Sequence, residues 1–76
     1  MSQLPILDAK GLHCPLPVLK AKQRLQQLKS GEQLLILATD QGALNDFKVF
    51  CRKHCHQLLQ INLQAGELQF LIQKGE

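Results

Sequence analysis

The hydrophobic pattern of this chain changes period several times, and this alternation constrains the fold more than any other feature of the sequence. Apolar residues recur every three or four positions from Pro15 to Ser30-Gly31, and again from about Ala43 to Cys55, which predicts two amphipathic helices. Strand patterns occupy four other segments, which are Leu4 to Ala9, Gln33 to Thr39, Gln57 to Ala65 and Glu67 to Lys74. The predicted order of elements is therefore βαβαββ.

These elements fit one small α+β domain. Parallel strands that are joined through a helix form right-handed crossovers, which place both helices on the same face of the sheet. The apolar run from Gln33 to Thr39 is expected at the centre of that sheet, and Gly66 is expected to turn the last two strands into a hairpin. We predict a two-layer α/β sandwich, with a four-stranded mixed sheet and two helices on one face, in a single domain over residues 1–76.

The segment from Gly11 to Pro17, GLHCPLP, lies where the first strand ends and the first helix begins, and it contains the candidate reactive residue Cys14. Two helix starts fit this segment. Either Cys14 is the N-cap and Pro15 takes the first helical position, or Leu16 is the cap and the helix begins at Pro17. Both place Cys14 at the positive end of the helix, where unpaired N–H groups, here those of Leu16 and Val18, favour an anion such as a thiolate.

The chemistry expected of Cys14 follows from that position. A helix N-terminus and the nearby side chains of Lys10 and His13 are expected to lower the pKa of the thiol and to raise its nucleophilicity. Pro17 stands where a Cys-x-x-Cys motif would have its second thiol, so a group accepted on Cys14 has no resolving thiol two residues away. The competing interpretation is a small buried side chain, which cysteine often is.

A second kind of evidence is a set of residues spread along nearly the whole chain. The set comprises Leu7-Asp8, Gly11-Leu12-x-Cys14-Pro15-x-Pro17, Gly31-Glu32, Leu35, Thr39-Asp40, Asp46, Phe50-Cys51, His56 and Lys74-Gly75. With these residues the sequence resembles the TusA family of bacterial sulfur carriers, also called SirA-like proteins, which share a Cys-Pro-x-Pro motif.

The resemblance implies a βαβαββ sandwich similar to the C-terminal domain of the third translation initiation factor. It implies that Cys14 bears sulfur as a persulfide, taken from a cysteine desulfurase or a related donor and passed to a downstream acceptor protein. Relatives serve tRNA 2-thiouridine synthesis, sulfur oxidation, molybdenum-cofactor or selenium pathways, and the motif does not distinguish these branches. Whether such a sulfurtransferase-type carrier counts as an enzyme is left open, and no cofactor is implied.

Two positions depart from the family pattern. Relatives usually end the second helix with glycine before the histidine, whereas this chain has Cys55, so the helix is expected to end without the residue that adopts a left-handed backbone most easily. The position between Asp40 and Gly42 is often proline and here is Gln41. Asp40 is the expected N-cap of the second helix.

A Cys-x-x-His-Cys-His pattern ends the second helix and has the spacing of half a zinc site; its residues are Cys51, His54, Cys55 and His56. The second helix is expected to begin, not end, at the edge that holds Cys14. We therefore expect no metal and no disulfide to Cys14, with Cys51 in the core. Leu16 is expected either as an apolar contact for a partner beside the sulfur or as a side chain packed under the sheet edge.

The chain has nine Lys and Arg residues against six Asp and Glu, a formal net charge of +3. Lys20, Lys22 and Arg24 on the first helix are expected to dock acidic surfaces of donor and acceptor proteins. The three Phe residues lie in apolar patterns instead of among these charges, so direct nucleic-acid binding is not expected as the main function. The alternative function is a non-catalytic regulatory module that binds nucleic acid or protein.

The sequence also bears on the location of the protein. No apolar run approaches the roughly 20 residues that cross a bilayer, and the first ten residues lack the pattern of a signal peptide. Three cysteines cannot all pair within one chain, which suits a reducing compartment. We expect a cytoplasmic protein without membrane contact.

Overall fold

A computed structural model describes residues 4–75 of the protein. Its elements are β1 (Ile6–Ala9), α1 (Leu16–Gln26), β2 (Gln33–Ala38), α2 (Gly42–Lys53), β3 (Gln57–Gln64) and β4 (Glu67–Gln73). This order confirms the predicted βαβαββ arrangement. The outermost bounds of the predicted domain, residues 1–3 and 76, lie outside the described part of the chain.

The four strands form one mixed sheet in the order β1-β2-β4-β3. β1 runs parallel to β2, as a strand–helix–strand crossover requires, whereas β4 runs antiparallel to both β2 and β3. The prediction that the apolar run of β2 is central is confirmed. Within residues 4–75, neither helix is long and apolar enough to cross a membrane.

The core lies between one face of the sheet and the two helices. The register sets Leu34 opposite Ile72 and Ile36 opposite Phe70, and these four side chains have no exposed surface. α1 adds Ala21 and Leu25 to this layer, and α2 adds Ala43, Phe47, Phe50 and Cys51. The buried rows of the strands all face the helices, so the prediction of two helices on one face is confirmed.

Both helices end earlier than the sequence predicts. α1 ends at Gln26 instead of near Ser30, because the N–H groups of Gln27 and Leu28 donate to carbonyls three residues back and tighten the last turn. Leu28 lies beyond the end of the helix but still packs against the core. Its apolar side chain therefore extends the three- and four-residue spacing of α1 past the last helical residue.

α2 ends at Lys53 instead of near Cys55 and, as expected, it ends without glycine. Cys55 itself adopts the left-handed backbone, with a φ of 61°, and the His56 N–H donates to the Cys51 carbonyl at 2.9 Å. This is the hydrogen bond of a Schellman motif, here closed without glycine. His54 follows the last helical residue and is exposed.

β3 is an edge strand, which confirms the strand predicted from Gln57 to Ala65, and nearly all of its side chains are exposed. A bulge between Leu58 and Gln60 breaks the register, so that Leu58 packs against the core and Leu59 is 44% exposed. The hairpin to β4 turns at Ala65 and Gly66, which both have positive φ, as a two-residue turn of the I′ type requires.

Candidate functional site

Cys14 is exposed and lies between the end of β1 and the start of α1. Neither predicted helix start is correct, because α1 begins at Leu16 with Pro15 as its N-cap. The Pro15 carbonyl accepts a bond from the Leu19 N–H at 3.1 Å, and the Leu16 N–H donates to the His13 carbonyl at 2.8 Å. The Leu16 donor is therefore used in a turn and is not free for the sulfur, whereas Pro17 is buried in the first turn of the helix.

Asp40 joins the Cys14 backbone to the start of α2. Its Oδ2 accepts the Cys14 N–H at 2.7 Å, and its Oδ1 accepts the Gly42 N–H at 2.9 Å. These two bonds, with a smaller contribution from the charge of His13, hold the pKa of the Asp40 carboxyl below its ordinary value. Asp40 was expected at the N-cap, but Gln41 takes that place and Asp40 acts from one residue before it.

Gly42 lets the N-terminus of α2 approach Cys14 closely. A Cβ atom built on Gly42 would lie 3.4 Å from the Cys14 Cβ and 3.7 Å from Sγ. The prediction that the second helix begins at the edge that holds Cys14 is therefore confirmed. Cys14 consequently lies beside the starts of two helices instead of one.

Asp46 contacts the sulfur itself, because the Cys14 thiol donates a hydrogen bond to its Oδ2. This bond, then partial desolvation, and then the negative charges of Asp46 and Asp40 raise the pKa of the Cys14 thiol above its ordinary value. The expectation of a lowered thiol pKa is therefore wrong. The reason is that α2 and the loop before it bring two carboxylates to the thiol.

The role of Asp46 was not predicted from the sequence, although its spacing from Gly42 carried a signal for that role. Asp46 lies four residues after Gly42, so both residues occupy the same side of α2. Once the start of α2 is placed against Cys14, the carboxylate one turn further along the helix is directed at the same thiol.

The other predicted site residues include Leu16, His13 and Lys10, which are near Cys14 in the chain. Leu16 is 44% exposed, which favours the interpretation of a solvent-facing apolar contact over that of a packed side chain. The His13 Nδ1 lies 3.9 Å from the Asp40 Oδ2, and the Lys10 N–H donates to the Asp8 carboxylate at 3.0 Å.

The basic residues of α1 do not form one patch. Lys20 and Arg24 are four positions apart and share a side of the helix. Lys22 instead lines a shallow depression near the end of α2, together with Phe50 and His54. The structure therefore separates Lys22 from the other two.

The Cys51, His54, Cys55 and His56 set has no arrangement for metal binding in the described chain. Cys51 is buried, and burial raises the pKa of its thiol to about 11. The Nδ1 of His56 accepts the Gly75 N–H at 3.0 Å, and burial lowers the pKa of this side chain. No group of three or more His, Cys, Asp or Glu side chains among residues 4–75 is placed to hold a metal ion.

The protein is therefore a small two-layer domain. Its Cys14 thiol lies at the surface beside the starts of both helices. All three cysteines are free thiols; Cys14 and Cys55 are exposed, but Cys55 follows the far end of α2.

Comparison with known proteins gives the family. A family model described as Sulfurtransferase TusA matches residues 6–74. The sulfur carrier protein TusA of Allochromatium vinosum is 43% identical over 69 residues, which cover 91% of this chain and 91% of that protein. A protein of Neisseria meningitidis serogroup A, provisionally named a sulfur carrier protein, is 48% identical over 67 residues, 88% of this chain and 90% of that protein. The chain belongs to the TusA family, and it is a sulfur carrier.

A solved structure shows the same fold. The crystal structure of a SirA-like protein from Desulfitobacterium hafniense superposes with a TM-score of 0.83 at 24% sequence identity, covering 96% of this chain and 100% of that one. This likeness supports the two-layer sandwich independently of the sequence matches.

Proposed function

We propose that Cys14 is the residue on which this sulfur carrier holds its cargo, as a persulfide. The observation that carries the proposal is the position of Cys14, exposed and anchored through its N–H to Asp40 beside the starts of both helices. Cys51 is buried with a raised thiol pKa, and Cys55 lies at the opposite end of α2. Pro15, Pro17 and His13 support Cys14 by shaping the turn that presents it.

The transfer chemistry needs one thiol at each step. The Cys14 sulfur attacks the outer sulfur of a persulfide on the donor protein, the donor thiol leaves, and Cys14 now bears the persulfide. A thiol of the acceptor protein later attacks that outer sulfur and releases Cys14. With no thiol two residues from Cys14, the persulfide is not lost to a local disulfide.

A sulfur carrier works between a protein that supplies sulfur and a protein that receives it. We propose a cysteine desulfurase as the supplier in this case and a further sulfur-transfer protein as the receiver, in the cytoplasm. The transfer of sulfur toward tRNA 2-thiouridine is one pathway that this pairing would serve.

A loading experiment tests the assignment of Cys14. The protein is incubated with a cysteine desulfurase, pyridoxal phosphate and cysteine, and its intact mass is measured before and after treatment with dithiothreitol. We expect a gain of one sulfur atom, reversed by dithiothreitol, and peptide mapping should place it on the segment that contains Cys14. Sulfur that maps instead to Cys51 or Cys55 contradicts the proposal.

We also propose that Lys10, Lys20 and Arg24 steer acidic surfaces of the partners toward Cys14, whereas Lys22 faces the depression near the end of α2 and is not part of this set. Electrostatic steering acts on the association rate and is screened by salt. We expect loading to slow as the salt concentration rises, and replacement of both Lys20 and Arg24 by Gln to slow it about tenfold at low salt.

A neutralised lysine elsewhere provides the control for steering. Lys53 is exposed at the far end of α2, and Lys53→Gln should leave the loading rate nearly unchanged. Rates that are the same at low salt and at about 0.5 M salt, where charges are screened within a few ångströms, count against steering.

A further inference from the structure

We propose that Asp46 takes the proton of the Cys14 thiol as sulfur is loaded and returns it to the thiolate that leaves the donor protein. The proposal rests on the assignment of the persulfide to Cys14. It makes Asp46 a catalytic residue, because its carboxylate contacts the reacting sulfur.

The two carboxylates near Cys14 have different contacts, and this difference selects Asp46. Both oxygens of Asp40 accept backbone N–H groups, those of Cys14 and Gly42. Asp46 is partly buried on the first turns of α2, and among residues 4–75 the Cys14 thiol is the hydrogen-bond donor to its carboxylate. Asp40 therefore fixes the backbone, whereas Asp46 is in place to exchange a proton with the sulfur.

The step balances without an oxidant or a reductant. The proton of the Cys14 thiol passes to the Asp46 carboxylate, and the Cys14 thiolate attacks the outer sulfur of the donor's S–S–H group. A bond forms between Sγ and that sulfur while the donor's S–S bond breaks, and its electron pair stays on the donor's cysteine sulfur. Asp46 then protonates that thiolate, so the donor leaves as a thiol and Asp46 is again ionised.

The surroundings explain why a proton acceptor is needed. The groups that titrate around the thiol are Asp46 from α2, Asp40 from the loop before it and His13 from the loop before α1. The hydrogen bond to Asp46 and the charges of the two carboxylates raise the pKa of the Cys14 thiol, which favours its protonated form. A protonated thiol resists alkylation and oxidation, and it needs a base when the donor arrives.

The effects of Asp46→Asn on two reaction rates distinguish proton transfer by Asp46 from other roles of this residue. Two rates are measured: alkylation of Cys14 by iodoacetamide as a function of pH, and uptake of sulfur from a desulfurase already loaded with persulfide. Alkylation needs the Cys14 thiolate but has no donor thiolate to protonate. We expect the variant to alkylate faster at neutral pH, with its midpoint at lower pH, and to take up sulfur about 100-fold more slowly.

The opposite effects on the two rates distinguish this role from simpler ones. A residue that only raises the thiol pKa would, when removed, speed both reactions, and a structural residue would change them in the same direction. Asp46→Glu retains a displaced carboxylate and should recover part of the uptake rate. Glu32→Gln, which removes one negative charge from an exposed residue just before β2, should leave both rates unchanged.

The outcomes also separate this inference from the assignment of Cys14. Sulfur that maps to another cysteine of the natural protein overturns the assignment and the role of Asp46 together. If sulfur maps to Cys14 and Asp46→Asn is loaded as fast as the natural protein, only the role of Asp46 is overturned. Far-UV circular dichroism establishes that the variants are folded. If Asp46→Asn is not, Asp46→Ser takes its place, and uptake by that variant at the natural rate overturns the proposal.

Discussion

Replacement of Cys14 by serine is expected to abolish both sulfur uptake and onward transfer. A serine hydroxyl is far less ionised than a thiol and a weaker nucleophile, and it forms no S–S bond with the incoming sulfur. The fold should not change, because the hydroxyl still donates to Asp46 and the backbone N–H still donates to Asp40. Intact mass after loading, and labelled sulfur recovered on an acceptor thiol, measure the two steps.

The two other cysteines supply matched controls for this variant. Cys55→Ser changes an exposed thiol at the far end of α2, and Cys51→Ala changes a buried one without placing a hydroxyl in the core. Both variants should take up sulfur at the natural rate. Onward transfer by Cys14→Ser, or loss of uptake in either control, would show that the sulfur does not travel through Cys14.

The fold could be predicted from the sequence because its main determinants are local periods. The three- and four-residue spacing of Val18, Ala21 and Leu25 marks α1, and the uninterrupted apolar run of β2 marks a central strand. Crossover handedness then leaves one arrangement of two helices on the sheet. The ends of the helices were less predictable, because they depend on single hydrogen bonds such as that from Gln27 to the Arg24 carbonyl.

The position of Cys14 was predictable for the same reason, whereas its chemistry was not. The boundary between a strand and a helix is visible in the sequence, and it places Cys14 at the surface. The hydrogen-bond partners of Cys14 are 26 and 32 residues further along the chain, at Asp40 and Asp46. A helix N-terminus favours a thiolate through local dipoles, but two carboxylates that arrive through tertiary packing reverse the direction of the pKa shift.

Cys55 illustrates the limit of an argument from residue preference. Glycine adopts a left-handed backbone more easily than cysteine, so the sequence predicted only that the helix would end without glycine. The structure keeps the Schellman bond and places Cys55 at a φ of 61°. The hydrogen bond from the His56 N–H and the packing of the following strand determine this backbone more strongly than the preference of one residue does.

The substitution Phe47→Ala is expected to cost the largest part of the stability of this domain. Phe47 is fully buried, with its ring centroid 4.6 Å from that of Phe70 on β4 and 6.4 Å from that of Phe50. Truncation of such a side chain removes its burial and leaves a cavity, which together lower the free energy of unfolding by about 3–5 kcal/mol. A single core in a domain of this size rarely supplies more than about 3–5 kcal/mol of stability, so the variant should be partly unfolded at room temperature.

Urea unfolding followed by far-UV circular dichroism measures this loss, because the chain has no tryptophan or tyrosine for fluorescence. Val49→Ala is the matched control, since Val49 lies on the same helix with 50% of its surface exposed and should change stability by at most about 0.5 kcal/mol. Phe47→Leu keeps part of the volume and should lose less than Phe47→Ala, which preserves a measurable difference if the alanine variant does not fold. A loss below about 1 kcal/mol for Phe47→Ala would show that α2 does not depend on this contact.

Because Asp46 precedes Phe47 on α2, loosening of this helix should also move the carboxylate away from Cys14 and slow sulfur uptake, an effect that Val49→Ala should not share.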